Sequence, residues 1–314
     1  MRYTALVRRV GCLSLLLWTA LSGQDVPVTT LKQTGLFALP SNPSRISGVA
    51  AAGGFLWFLL QNGAWTELLA TDVAGGNPTQ FALQPPAKKS APLTGAICAN
   101  ADGRIAVGHG EGTVEIYQRG GALLETIPVP SSKCVLDQGL WVWSGTGVNL
   151  INGTRIQSHF APPQLPQYAH VDLLRSGDRH LGLLDSTEGI FYTLDQQTGN
   201  WTRHPLAAPE FQWIRNLPAQ EGMVVPFFMS PSVAGEEFYV LSSPTNRKQG
   251  AKVLRFDFQG NLLARYLCPL PTSVAPPTGT NPDGYLTPTH VLVMDRTLLL
   301  ISSPQKIAAS YNLD

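Results

Sequence analysis

Charged side chains are scarce in this chain. Asp, Glu, Lys and Arg make up 14% of 314 residues, and 22 basic groups face 21 acidic ones, a net charge of +1. Such a balance argues against a nucleic-acid binder, which draws its affinity largely from neutralising phosphates. Cysteine is rare too, with four in all, and their spacing fits no zinc motif. The sequence lacks a Gly-x-Ser-x-Gly nucleophile elbow, a His-Glu-x-x-His pair and a phosphate-binding glycine loop. Gly108-His109-Gly110-Glu111-Gly112 is glycine-rich, but it reads as part of a hairpin rather than a helix start. No catalytic residue, metal site or cofactor is therefore expected. The six histidines are scattered singly.

Long apolar runs are also missing after the amino terminus. Residues 1–22 read as a signal peptide. Arg2, Arg8 and Arg9 form a basic start, Val10 to Trp18 an apolar stretch, and Ala20 and Ser22 the small residues before a cleavage point. The stretch is too short to span a bilayer comfortably, so cleavage near Ser22/Gly23 and an extracytoplasmic location, secreted or periplasmic, are expected. Removal leaves Cys98, Cys134 and Cys268. An odd number leaves at least one free thiol or an intermolecular bond. Buried free thiols and one Cys98–Cys134 bridge are both open readings.

Glycine and proline, by contrast, are plentiful, at 30 and 25 residues. With a 44% hydrophobic content that supports a sizeable core, they point to many short strands joined by turns. A repeat is written in the prolines. Apolar strand ends close at Pro40, Pro85, Pro130, Pro163, Pro209 and Pro271, in steps of 45, 45, 33, 46 and 62 residues. Four-stranded propeller blades run about 40–50 residues. Proline has no N–H to donate, so it is tolerated at an edge strand, which is what a blade's outermost strand is.

Between prolines lie three further runs rich in β-branched and aromatic residues. In the second segment these are Gly95 to Ala99, Arg104 to Gly108 and Thr113 to Tyr117. The third run usually ends in a polar turn with glycine, as at Asp72 to Gly75, Gln118 to Gly120, Asn152-Gly153, Asp195 to Gly199 and Asp257 to Gly260. The last segment has only three runs, ending at Asn312. The stretch Thr29 to Leu39 supplies the missing fourth, so the amino-terminal strand should complete the last blade. This gives an all-β, six-bladed β-propeller of four-stranded blades occupying residues 23–314 as a single domain. Seven blades is the alternative, because the step from Pro209 to Pro271 is long.

On this repeat anatomy, from Val26 to Asp314, the chain resembles secreted six-bladed β-propellers of the NHL/TolB-like kind. The resemblance implies the fold and export. It carries over no catalytic residues.

Long loops on a rigid scaffold are where function usually sits. In this topology the inter-blade loops share one face, and residues entering the innermost strands should ring the central opening there. These are Arg45, Thr94, Lys133, His170 and His290, with Arg215 close by and His109 and Glu111 in a neighbouring loop. Trp213 beside Arg215 could cover a sugar ring or a peptide. Such a rim favours an anionic or hydroxyl-rich ligand. Solvated cations and locally packed histidines are the plainer alternative. The expected role is an exported, non-catalytic binding or scaffold propeller, monomeric, whose partner is a protein, a peptide or a carbohydrate. The alternative is a propeller hydrolase, lyase or lactonase with a central metal or His/Arg site.

Overall fold

The structure, a computed structural model, describes residues 26–39, 45–62, 65–83, 93–109, 112–167, 169–177, 180–206, 208, 210, 228–242, 247–274 and 281–313. The expected signal segment, Pro40, Pro85, Pro209, Glu111, Trp213 and Arg215 lie outside these, and of Arg45 only the backbone is described.

Two strands come first, β1 (Val28–Thr30) and β2 (Gln33–Ala38). Blade 1 then comprises β3 (Arg45–Ala52), β4 (Phe55–Asn62), β5 (Trp65–Thr71) and β6 (Thr79–Ala82). Blade 2 comprises β7 (Leu93–Ala99), β8 (Arg104–His109), β9 (Thr113–Gln118) and β10 (Leu123–Ile127). Blade 3 is β11 (Lys133–Leu136), β12 (Leu140–Trp143), β13 (Val148–Asn152) and β14 (Arg155–Phe160). Blade 4 is β15 (Val171–Ser176), β16 (His180–Asp185), β17 (Ile190–Leu194) and β18 (Trp201–Pro205). Blade 5 holds β19 (Phe228–Ala234), β20 (Glu237–Ser242), β21 (Ala251–Asp257) and β22 (Leu262–Cys268). Blade 6 holds β23 (His290–Met294), β24 (Thr297–Ser302) and β25 (Ile307–Asn312).

Each blade is an antiparallel meander in chain order, and β2 adds to β25 as the fourth strand of blade 6. The first strands of the blades touch in sequence, from β3 to β7, β11, β15, β19 and β23, and β23 returns to β3. The ring is therefore closed at six blades. The long step between Pro209 and Pro271 holds one blade, and its extra length precedes Phe228. The amino-terminal stretch, expected as one strand, is two. Its first part, β1, pairs in parallel with β22 on the outer edge of blade 5.

The core consists of six apolar clusters, one in each gap between neighbouring blades. This explains why the second strands read as unbroken apolar runs rather than alternating ones. On β4, Leu56, Phe58 and Leu60 pack towards blade 6, while Trp57 and Leu59 pack towards blade 2. Outermost strands bury far less, as at β14 and β18. Phe191, Phe238, Phe256 and Phe258 form an aromatic knot between blades 4 and 5, with Phe191 and Phe238 centroids 4.8 Å apart.

Several third-to-fourth-strand turns are held by an aspartate. Asp72 Oδ1 accepts from the N–H of Ala74 and Gly76 at 2.9 and 2.7 Å, and Asp257 Oδ1 from Gln259 and Asn261 at 2.9 and 2.8 Å. In the Gln118 turn the left-handed residue is Gly121, at φ +87°, rather than Gly120.

Candidate functional site at the channel mouth

An antiparallel four-strand blade returns the chain to the face it left, so all six innermost strands begin on one face. Arg45, Lys133 and His290 are the first residues of β3, β11 and β23, Thr94 is the second of β7, and His170 directly precedes β15. There Lys133 of blade 3 pairs with Asp172 of blade 4, and both charges act on His290 of blade 6. Lys133 Nζ lies 2.6 Å from Asp172 Oδ1, an ion pair between neighbouring innermost strands. Asp172 beside it raises the Lys133 pKa. The ammonium side chain keeps 42% of its exposure, whereas Asp172 keeps 14%.

His290 feels both charges. Burial is the main cause that lowers its pKa from 6.5 to about 4. Lys133 lowers it further, and Asp172 opposes. At neutral pH the imidazole is uncharged. Its Nδ1 is 2.8 Å from Thr289 Oγ1 and 3.4 Å from Ser303 Oγ. Ser303 Oγ in turn donates to the Ile46 carbonyl at 3.3 Å, which links the site to blade 1. The ring is thus fixed by hydroxyls at one nitrogen.

His170 is placed differently. Its side chain is exposed, and its backbone does the anchoring. The N–H donates to Thr187 Oγ1 at 3.0 Å, and the carbonyl accepts from the N–H and Oγ of Ser186. His109 is not a loop residue but the last residue of β8. Its side chain is 2% exposed, with Nε2 2.9 Å from Glu115 Oε2, and the Tyr117 hydroxyl donates to the same oxygen. The histidine and the tyrosine together hold Glu115 below its ordinary pKa against the effect of burial, which is the largest single influence and acts upward. His109 therefore belongs to the interior of blade 2, not to the rim. Asp172 lies inside β15 rather than at its start. Its only sequence signal is that it is a carboxylate on an innermost strand.

The opposite mouth is also concave. A cavity of about 780 Å³ is lined by the ends of the innermost strands, among them Asp137, Arg175, Gly235 and Glu236. Arg175 is its buried cation, but Nε bonds Asp137 Oδ2 at 3.3 Å and the guanidinium lies 4.8 Å over the Trp141 ring. With its side chain only 5% exposed, Arg175 acts as a clamp between blades 3 and 4. Among the described residues no group of three or more His, Cys, Asp or Glu is placed to hold a metal ion.

No protein-family profile and no curated protein match the sequence. Solved structures do match by shape. A streptogramin B lyase is 12% identical, with a TM-score of 0.56 covering 89% of this chain and 97% of that one. Virginiamycin B lyase from Staphylococcus aureus is 12% identical at 0.54, covering 90% and 100%. The WD40 repeats of RRP9 are 9% identical at 0.59, covering 92% and 100%. The likeness is one of fold. These propellers carry mixed roles, so the fold by itself selects none of them.

Proposed function

We propose that this protein is an exported, non-catalytic binding propeller. It seats a ligand or partner over the channel mouth where Lys133, Asp172 and His290 meet. The carrying observation is the Lys133–Asp172 ion pair at that mouth, whose two charges both act on His290 from a third blade. A closed ring supplies low-dielectric walls that strengthen each interaction made in the mouth. Lys133 offers ammonium protons, Asp172 accepts, and neutral His290 can hydrogen-bond without a charge. That set suits a peptide carboxylate or a hydroxyl-rich carbohydrate.

A lyase is the second reading. It is favoured by the neutral histidine at the mouth and by the fold shared with two lyases. The same pKa weighs against it. A base works best when its pKa lies near the operating pH, and a value of about 4 leaves His290 a weak proton acceptor.

The test is ligand capture by purified protein, read by native mass spectrometry, followed by titration of whatever co-purifies. Replacing the pair together, as Lys133→Met with Asp172→Asn, avoids stranding one charge. It is expected to keep the fold and to weaken binding by roughly 1–3 kcal/mol, the worth of a charge-assisted hydrogen bond to the ligand. Unchanged affinity in the double variant sinks the assignment. Turnover of the captured molecule, abolished by His290→Gln, would favour the lyase instead.

A further inference from the structure

We infer that Cys98 and Cys134 are partners in a disulfide that staples blade 2 to blade 3, while Cys268 stays a thiol. The two residues lie on neighbouring innermost strands, β7 and β11, 36 residues apart in sequence. Their Sγ atoms are 2.6 Å apart. Two sulfurs at that separation are inside ordinary non-bonded distance, and a short closing movement brings them to bonding distance. Both are free thiols in the structure and both are buried within one apolar cluster. A shared metal ion is the competing use for a close cysteine pair, but no third ligand of the His, Cys, Asp or Glu type joins them among the described residues.

Cys268 is placed otherwise. It lies in the gap between blades 5 and 6, away from the pair, and burial pushes its thiol up to about 12. Exchange requires a thiolate, so this residue is inert in the folded protein. Burial also raises Cys98, with Cys134 adding to the effect. The bond therefore forms during folding, once β7 and β11 are side by side but before the gap has closed over the pair, and the closed gap then shields it from reductants in the native state.

The chemistry needs a disulfide oxidant, such as glutathione disulfide. One cysteine, as thiolate, attacks the oxidant and releases one of its sulfurs as a thiol. The other cysteine then attacks the mixed disulfide and releases the second. Two protons and two electrons leave the protein, and the oxidant departs as two thiols.

To test this, the full chain is reduced, unfolded and refolded in a glutathione redox buffer. Free thiols are then alkylated, and the chain is digested without reduction and mapped. The expected result is a Cys98–Cys134 linked peptide with Cys268 alkylated. Alkylation of both Cys98 and Cys134 would overturn the proposal. So would linkages to Cys12 or Cys268 in the proportions found when the unfolded chain is oxidised in denaturant. As a second readout, reductant applied to the refolded protein during a thermal scan should lower its midpoint by several degrees. It should leave a doubly substituted C98A/C134A protein unmoved, and an equal response in both proteins would also overturn the proposal.

Discussion

His290 is where a single residue makes the fold pH-sensitive. Its ordinary pKa of 6.5 drops to about 4 in the folded protein. Between those values the unfolded chain binds a proton that the folded chain refuses. Stability from this group is thus complete above pH 6.5 and is lost as pH falls towards 4. The whole shift corresponds to at most roughly 3–4 kcal/mol. Asp185 works in the opposite sense, because burial raises its carboxyl and acidification relieves it. The contribution of His290 is isolated by comparing urea unfolding of the native sequence and His290→Gln at about pH 7.5 and about pH 5, on either side of the ordinary imidazole pKa. The native protein should lose more stability on acidification than the variant, and equal losses would show that the imidazole is not held neutral. At this scale the sequence is only partly readable. Lys133 and His290 stand out as polar residues beginning apolar strands. Nothing local says that Asp172, 39 positions beyond Lys133, will neutralise it. His109 reads as part of a glycine-rich loop, but Glu115 draws its ring inwards.

Individual strands are legible wherever two buried faces produce a dense apolar run, as in β4, β8 and β24. The prolines mark the ends of outer strands. β10 ends at Ile127 before Pro128 and Pro130, and β14 ends at Phe160 before Pro162 and Pro163. β1 escapes such a reading. It is three exposed residues long and offers no pattern. Its partner β22 lies far along the chain, brought near only by ring closure. The pairing is reinforced by Arg265, whose Nε and Nη2 donate to Glu210 Oε1 at 3.1 and 2.6 Å and whose Nη1 donates to the Val26 carbonyl at 3.4 Å. Removing Val26 to Thr30 should therefore leave the ring shut but bare the edge of β22. We expect a loss of about 1–3 kcal/mol in denaturant unfolding. Self-association that grows with concentration should accompany it, visible by analytical ultracentrifugation, because an unpaired edge is a template for another chain. A truncated protein as stable and as monomeric as the parent would make β1 an incidental neighbour of blade 5.

At the scale of the whole molecule, β2 is the closure. It forms five register pairs with β25, from Gln33 opposite Tyr311 to Ala38 opposite Ile307, and so binds the chain's two ends into one blade. The polar link from Thr34 Oγ1 to Ser310 Oγ, 3.1 Å long, spans 276 residues of sequence. Every other blade is a local meander, so the ring has one seam that no neighbouring sequence can repair. Blade 6 and blade 1 also share an apolar cluster containing Leu39, Ile46, Leu292 and Leu299, and it sits against that seam. Deleting residues 26–39 removes both the latch and Leu39 from this cluster. The outcome should differ in kind from the loss of β1. A ring that can open at the seam exposes an apolar gap as well as an edge, so unfolding should become faster and aggregation should follow. Proteolysis should then cut first within the strands that face the open seam, in blade 1 and in blade 6. A chain carrying residues 26–39 as a separately added peptide offers the decisive comparison. If the latch is what holds the ring, the peptide restores solubility and slow unfolding, and a peptide with Phe37 and Leu39, the two that pack into the seam cluster, replaced by Asp restores less. A deletion protein that stays monomeric and unfolds at the parent's rate would mean that the ring is held by its blade gaps alone.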